Sequence, residues 1–208
     1  MKKIMMIITL GLMIMACGKQ ESIKKIGITQ IVEHPALDGA RNGFLKALED
    51  AGYKDGENLK IEYQNAQGDQ AVAQSIAESF VSDSKDLILA IATPTAQAAY
   101  NATKEIPVLI TAVTDPIQAG LAKSLEKSET NVTGTSDATP IDKQFALIRE
   151  LLPESKKVGI VYNTSELNSE VQVAQAKVIA QKYGLELVIK GVTSVNDLAQ
   201  VLDSLLKE

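Results

Sequence analysis

The sequence predicts an α/β protein of two lobes, each a parallel sheet covered by helices. Three observations carry this. Strand-like and helix-like segments alternate after residue 25, the order that builds parallel sheets. Leu87-Ile88-Leu89-Ala90-Ile91-Ala92 is an unbroken apolar run, as expected of a strand covered on both faces. The alternation breaks over residues 114–140 and then restarts. That places a crossover, or hinge region, between a first lobe at 26–113 and a second at 141–208.

The first strand is Ile26 to Ile31. Leu37, Phe44, Leu45 and Leu48 then share one helical face that closes at Gly52. A short strand spans Leu59 to Gln64. Asp69 is placed to cap a helix carrying Val72, Ile76 and Phe80. After the strand at Leu87 come a helix over Thr95 to Thr103 and a strand at Val108 to Ala112. The break holds a helical stretch around Gly120 to Leu125 and a short strand at Asn131 to Thr135. A helix with Phe145, Ile148, Leu151 and Leu152 on one face is stopped by Pro153. A strand at Lys157 to Tyr162, a helix from Glu166 to Tyr183 before Gly184, a strand at Leu185 to Lys190 and a helix at Val195 to Lys207 complete the order. The second lobe reads as partial, with about three strand candidates against about four in the first. A naturally small lobe and a C-terminally truncated one both fit.

The N-terminus has a separate character. Lys2 and Lys3 precede an apolar run from Ile4 to Ala16, and the lone cysteine, Cys17, closes it. About 13 apolar residues are too few for a bilayer span, which takes about 20. All the methionines, Met1, Met5, Met6, Met13 and Met15, lie in this segment. Residues 1–16 read as a lipoprotein signal peptide, Cys17 as the lipidated residue and 17–25 as a tether. The mature protein is then expected outside the cytoplasmic membrane and anchored to it.

Composition narrows the chemistry. The 208 residues carry a formal net charge of −5, against a general nucleic-acid binder. Hydrophobic residues reach 45%, but aromatics only 4% with no tryptophan, so the core must be aliphatic. One histidine and one cysteine leave no usual zinc constellation, and no metal or cofactor signature stands out. Neither a Gly-x-Ser-x-Gly elbow nor a phosphate-cradling glycine loop is present. The reading is a binding protein, not an enzyme.

In doubly wound sheets ligands bind beyond the carboxyl ends of the strands. The residues there are His34, Leu37 and Asp38 after the first strand, Thr93, Pro94 and Thr95 after the third, and Asp115 after the fourth. Thr135 and Asp137 follow in the crossover, then Asn163, Ser165, Glu166, Asn168 and Ser169. Hydroxyls and free N–H groups at helix starts suit an anion, and carboxylates suit an ammonium group. Only Arg41 and Arg149 supply guanidinium groups, both within helices, so a phosphate clamp is poorly supplied. Both signs of partner without an arginine cluster point to a small zwitterion such as an amino acid. Each Ser, Thr, Asp or Asn is also an ordinary helix cap, so the weight lies in their shared location.

Five segments resemble the substrate-binding lipoproteins of ABC transporters, in the branch that includes tryptophan-binding members. They are His34-Pro35-Ala36-Leu37-Asp38, Ala92-Thr93-Pro94-Thr95-Ala96, Val113-Thr114-Asp115-Pro116, residues 131–137 and residues 162–169. The resemblance implies two Rossmann-like lobes of the type I periplasmic-binding kind closing on a ligand, with an ABC permease as partner. An aromatic amino acid is among the ligands it suggests. A sugar or nucleoside receptor, a ligand-sensing module of a signalling system and a lipoprotein hydrolase remain open from the residues alone.

Overall fold

A computed structural model describes residues 23–207. The signal peptide and Cys17 lie outside the described residues. Among those described, no helix is long and apolar enough to cross a membrane.

The first sheet is wholly parallel, in the order β2-β1-β3-β4-β5. Its strands are β1 (Lys24–Gln30), β2 (Leu59–Asn65), β3 (Leu87–Ile91), β4 (Val108–Val113) and β5 (Val132–Ser136). Helix α1 (Pro35–Asp50) covers one face; α2 (Gln70–Ser82) and α3 (Thr93–Ala102) cover the other. The apolar run of β3 serves both. Ile88 and Ala90 pack under α2 and α3, while Leu89 and Ile91 pack under α1. This is period-2 alternation in a strand with no solvent face.

The predicted α1 face holds, with Phe44, Leu45 and Leu48 against the sheet. Leu37 sits at its open end and touches both cores. Asp69 caps α2 as expected, its Oδ1 accepting from the N–H groups of Ala71 at 2.7 Å and Val72 at 3.1 Å. Val72 is not on the buried face; Ala73, Ile76, Ala77 and Phe80 are. Phe80 is fully buried against Gly27 of β1, where any side chain would meet its ring.

Three differences concern the crossover. β5 pairs with β4, so it belongs to the first sheet although it falls within the segment read as crossover. The stretch around Gly120 forms turns instead of a helix, pinned by buried Ala119 and Leu121. Residues 137–140 alone then separate the last strand of the first sheet from the next helix. At the other end, β1 begins at Lys24 and takes in the last two residues of the expected tether.

The second lobe pairs β6 (Lys157–Asn163) with β7 (Glu186–Val192), two parallel strands where about three were expected. α4 (Ile141–Leu151) and α5 (Leu167–Lys182) pack through Phe145, Ala176 and Ala180. Leu151 and Leu152 are exposed, contrary to the predicted face; Ile141 is buried instead. The last helix is shorter than predicted, a 3-10 turn at Val195–Asp197 followed by α6 (Leu198–Leu205). Arg149 closes the C-terminal turn of α4. Its guanidinium donates to the carbonyls of Pro153 and Ser155, both at 2.8 Å, and to that of Tyr183 at 2.6 Å. The first two carbonyls belong to the turn after α4 and the third to the residue that caps α5, so one guanidinium ties the two helix ends together.

Candidate functional site

The lobes meet at the carboxyl ends of their strands. α3 touches α5, and Leu167 of the second lobe packs on the core of the first. Beside this contact lies a cleft of about 360 Å³. Ile31, Gly68, Asp69, Gln70, Ala71 and Pro94 line it from the first lobe, and Asn163, Ser165, Glu166 and Thr193 from the second. The starts of α2, α3 and α5 converge here, each with its positive dipole end; Asp69 already takes two N–H groups of α2, while α3 and α5 have no side-chain cap. Such a setting favours an anionic group. The carboxylates of Asp69 and Glu166 add negative charge at the same rim, so both ends of a zwitterion find a complement.

The junction of β3 and α3 is abrupt. Only Ala92 separates strand from helix, with φ +85° and ψ 158°. This backbone is costly for a residue with a Cβ, on the order of 1–3 kcal/mol, and is characteristic of ligand clamps. It fixes what the next residues do. Thr95 is fully buried, and its hydroxyl donates to the carbonyl of Ile91 at 2.7 Å or Ala92 at 3.0 Å. The Thr95 hydroxyl is therefore committed inside the lobe, which corrects its expected role as an anion donor. Thr93 is 3% exposed and its Oγ1 has no partner. Across the cleft, the Asn168 amide nitrogen donates to Glu166 at 3.3 Å while its buried Oδ1 is left unpaired. Buried polar atoms without partners are rare, and each lobe offers one at the start of a cleft-facing helix.

The other predicted residues divide. Asn163 donates to Glu166 at 2.9 Å and accepts from the Ser165 N–H at 3.0 Å, a local network that shapes the loop after β6. Ser165 is exposed and enters the lobe contact through its main-chain carbonyl. Ser169 lines a neighbouring cavity between α4, α5 and β6 that shares only Asn163 with the cleft. His34 is exposed and caps α1, its Nδ1 accepting from the Ala36 N–H at 3.2 Å. Asp38 turns to Arg41 and Gln30. Asp115 caps its own turn through the N–H groups of Ile117 and Gln118. Thr135 pairs its hydroxyl with that of Thr111 at 3.1 Å beside the β4 bulge, and Asp137 is exposed just beyond. Of the residues expected from the sequence, Pro94, Asn163, Ser165 and Glu166 line the cleft; His34, Leu37, Asp38, Thr93, Thr95, Asp115, Thr135, Asp137, Asn168 and Ser169 do not.

Sequence reading missed Asp69, Gln70 and Thr193. The rule that found the others covers them too, since residues 66–70 follow β2 and Thr193 follows β7 directly. Among the described residues no group of His, Cys, Asp and Glu is placed to hold a metal ion.

Two parallel-sheet lobes facing one another across a polar cleft are the layout of a two-lobed solute-binding protein. The chain belongs to the ABC transporter substrate binding protein family, whose model matches residues 25–208. It is 58% identical over 183 residues to the tyrosine-binding protein of Clostridioides difficile strain R20291, covering 88% of this chain and 53% of that one. Among solved structures, a complex with L-Trp from Streptococcus pneumoniae is 41% identical, with a TM-score of 0.86 over 90% of this chain and 63% of that one. A ligand-free, open substrate-binding protein with adhesive properties from Clostridium difficile is 58% identical, with a TM-score of 0.64 over 88% of this chain and 62% of that one. The chain thus spans about half the length of its curated relative and just over three fifths of these solved chains.

Proposed function

We propose that this chain acts as the extracytoplasmic solute receptor of an ABC importer and holds an amino acid between its lobes. The ligand class is an aromatic amino acid, tyrosine or tryptophan. One observation carries the reading. The chain superposes far better on the tryptophan-bound relative than on the open, ligand-free one, although the latter is closer in sequence. At such identity the individual lobes differ little, so the gap reflects how the lobes are set against each other. The setting of the lobes is thus nearer that of the relative in complex with L-Trp than that of the open one, which supports a ligand held between the lobes.

The chemistry agrees. Helix starts suit the ligand carboxylate, with the unpartnered Thr93 hydroxyl buried one residue behind Pro94 of the wall; Glu166 and Asp69 suit its ammonium group. Ile31, Ala71 and Pro94 supply apolar wall for a ring. Calorimetry with the twenty amino acids tests this reading. Saturable binding of tyrosine or tryptophan, with glucose and adenosine silent, is expected; sugar binding without amino-acid binding overturns it.

We further propose that Cys17 carries a lipid and that a permease is the partner. The apolar leader ending at Cys17 supports the anchor. Cys17→Ser should abolish incorporation of a fatty-acid analogue in cells, and undiminished labelling would remove the anchor.

A further inference from the structure

A second cavity of about 550 Å³ opens on the α1 side of the first sheet, at the carboxyl ends of β1 and β2. It shares no residue with the cleft. Between them stand Gln67 and Gly68, both with left-handed backbone at φ +55° and +81°. The Asn65 side chain accepts from the Gln67 N–H at 2.8 Å, and the Gly68 N–H donates to Ile31 at 2.7 Å. These bonds hold the wall in its uncommon conformation.

The cavity is built around Arg41, in the second turn of α1. Its Nη1 donates to Gln30 Oε1 at 3.2 Å and lies 3.3 Å from Asp38. Its guanidinium carbon lies 4.2 Å from the centre of the Tyr63 ring. Gln30 is fully buried, and its amide nitrogen is spent on Val32 and Asp38, both at 2.8 Å. A buried glutamine, a carboxylate and an aromatic face thus fix one guanidinium in one orientation. Both side-chain acceptors meet Nη1, which leaves Nη2 and Nε without an acceptor among the described residues. Glu33, Asn65 and Gln67 complete the lining.

We propose that this cavity is a binding site for a small carboxylate, with Arg41 as its anchor. A planar monoanion matches the free edge of a guanidinium. A phosphate dianion would instead face repulsion from Asp38 and Glu33. Those same carboxylates favour a ligand that also carries an ammonium group. The site does not depend on the ligand assigned to the cleft.

The chain has only two arginines, Arg41 and Arg149. Arginine labelled with nitrogen-15 therefore gives two Nε–H signals, and Arg149, held by three carbonyls, is the internal control. Acetate, L-tyrosine and tyramine are titrated separately into the full chain at constant ionic strength. The expected result is a saturable shift of the Arg41 signal with acetate, whether or not L-tyrosine also gives one, none with tyramine, and none at Arg149. Arg41→Lys keeps the charge but loses the fork, and should weaken acetate binding, read from the Gln30 side-chain amide, at least tenfold. A shift with L-tyrosine that tracks the calorimetric isotherm, with acetate silent, would mean that Arg41 only senses the cleft ligand and overturns a separate carboxylate site. A shift with acetate assigns an independent small acid, even if calorimetry shows no amino-acid binding. An Arg41 signal that ignores both carboxylates, or moves in step with Arg149, overturns the site and leaves the cleft reading standing.

Discussion

The side-chain amide of Gln70 donates to the main-chain carbonyl of Ser165, 95 residues further along and in the other lobe. Gln70 opens α2, and Ser165 precedes the cap of α5. The bond therefore joins two of the three helix starts that face the cleft. It can form only when the lobes approach, so its free energy belongs to the closed arrangement.

Gln70→Ala should shift the lobes toward the open arrangement. A neutral hydrogen bond contributes about 0.5–1.5 kcal/mol net, so the closed-to-open ratio should fall about two- to tenfold. Spin labels on the two lobes would report this as a longer mean distance in the variant. Ser165→Ala is the control, because the acceptor is the main chain. If both variants keep the wild-type distance, the Gln70 contact does not bias closure.

Gly27 lies under Phe80, and a Cβ at this position would come within 2.5 Å of the ring. Phe80 is fully buried among Ile76, Ile88 and Val108 and has no room to retreat. Gly27→Ala should destabilise the first lobe by about 1–3 kcal/mol, the usual cost of overpacking. In a chain of this size that lowers Tm by about 2–4 °C per kcal/mol. Calorimetric melting of both forms decides it; an unchanged Tm would mean that the β1–α2 contact yields freely.

Acid should loosen the first lobe through Glu62. Its carboxylate accepts from Lys85, whose side chain is only 5% exposed, and from Gln64 at 2.7 Å. The Lys85 bond first, then that of Gln64, holds the Glu62 carboxyl below its ordinary 4.5. A lowered folded-state pKa gives stabilisation that is complete above the unfolded value and is lost as pH falls through the folded one. Stability from this pair is therefore flat above pH 4.5 and declines below it. Urea midpoints between pH 7 and pH 3 should fall less steeply in Glu62→Gln than in wild type, and parallel curves would remove Glu62 as a source of acid sensitivity.

What was legible in the sequence was what local chemistry decides. The run at Leu87 announced a strand covered on both faces because burial on two sides leaves no polar positions. Asp69 was recognisable as a cap because the donors it serves are two and three residues away. Val72, Leu151 and Leu152 were misplaced because exposure depends on which element lies above, a non-local fact. β5 was detached from its sheet for the same reason, since its partner β4 precedes it by a long irregular loop. The rule that ligands bind beyond strand ends, taken for four strands, reaches Pro94, Asn163, Ser165 and Glu166 of the cleft; without β2 and β7 it misses Gln70 and Thr193. The Arg41 cluster joins residues from β1, α1 and β2, and no spacing announces it.

Thr93 and Thr95 stand two residues apart with the same side chain, and only the backbone of Ala92 separates their roles. The two hydroxyls should respond oppositely to removal. Thr95→Val takes away a donor that serves the carbonyls of Ile91 and Ala92; Ala92 keeps the Ala96 N–H, so the loss falls on the buried Ile91 carbonyl. It should lower stability by about 1–3 kcal/mol, the cost of leaving a buried polar group unpaired. Its amino-acid affinity, measured on the folded fraction, should stay within about twofold. Thr93→Val replaces a hydroxyl that has no partner in the unliganded lobe, so stability should hold or rise slightly. If that hydroxyl meets the ligand carboxylate, its loss costs about 1.5–3 kcal/mol, or about ten- to 150-fold in affinity. Chemical denaturation and calorimetric titration with tyrosine, run on both variants, separate stability from binding. Affinity lost in Thr95→Val and kept in Thr93→Val would reverse the assignment and show that the Ala92 turn presents the other threonine to the cleft.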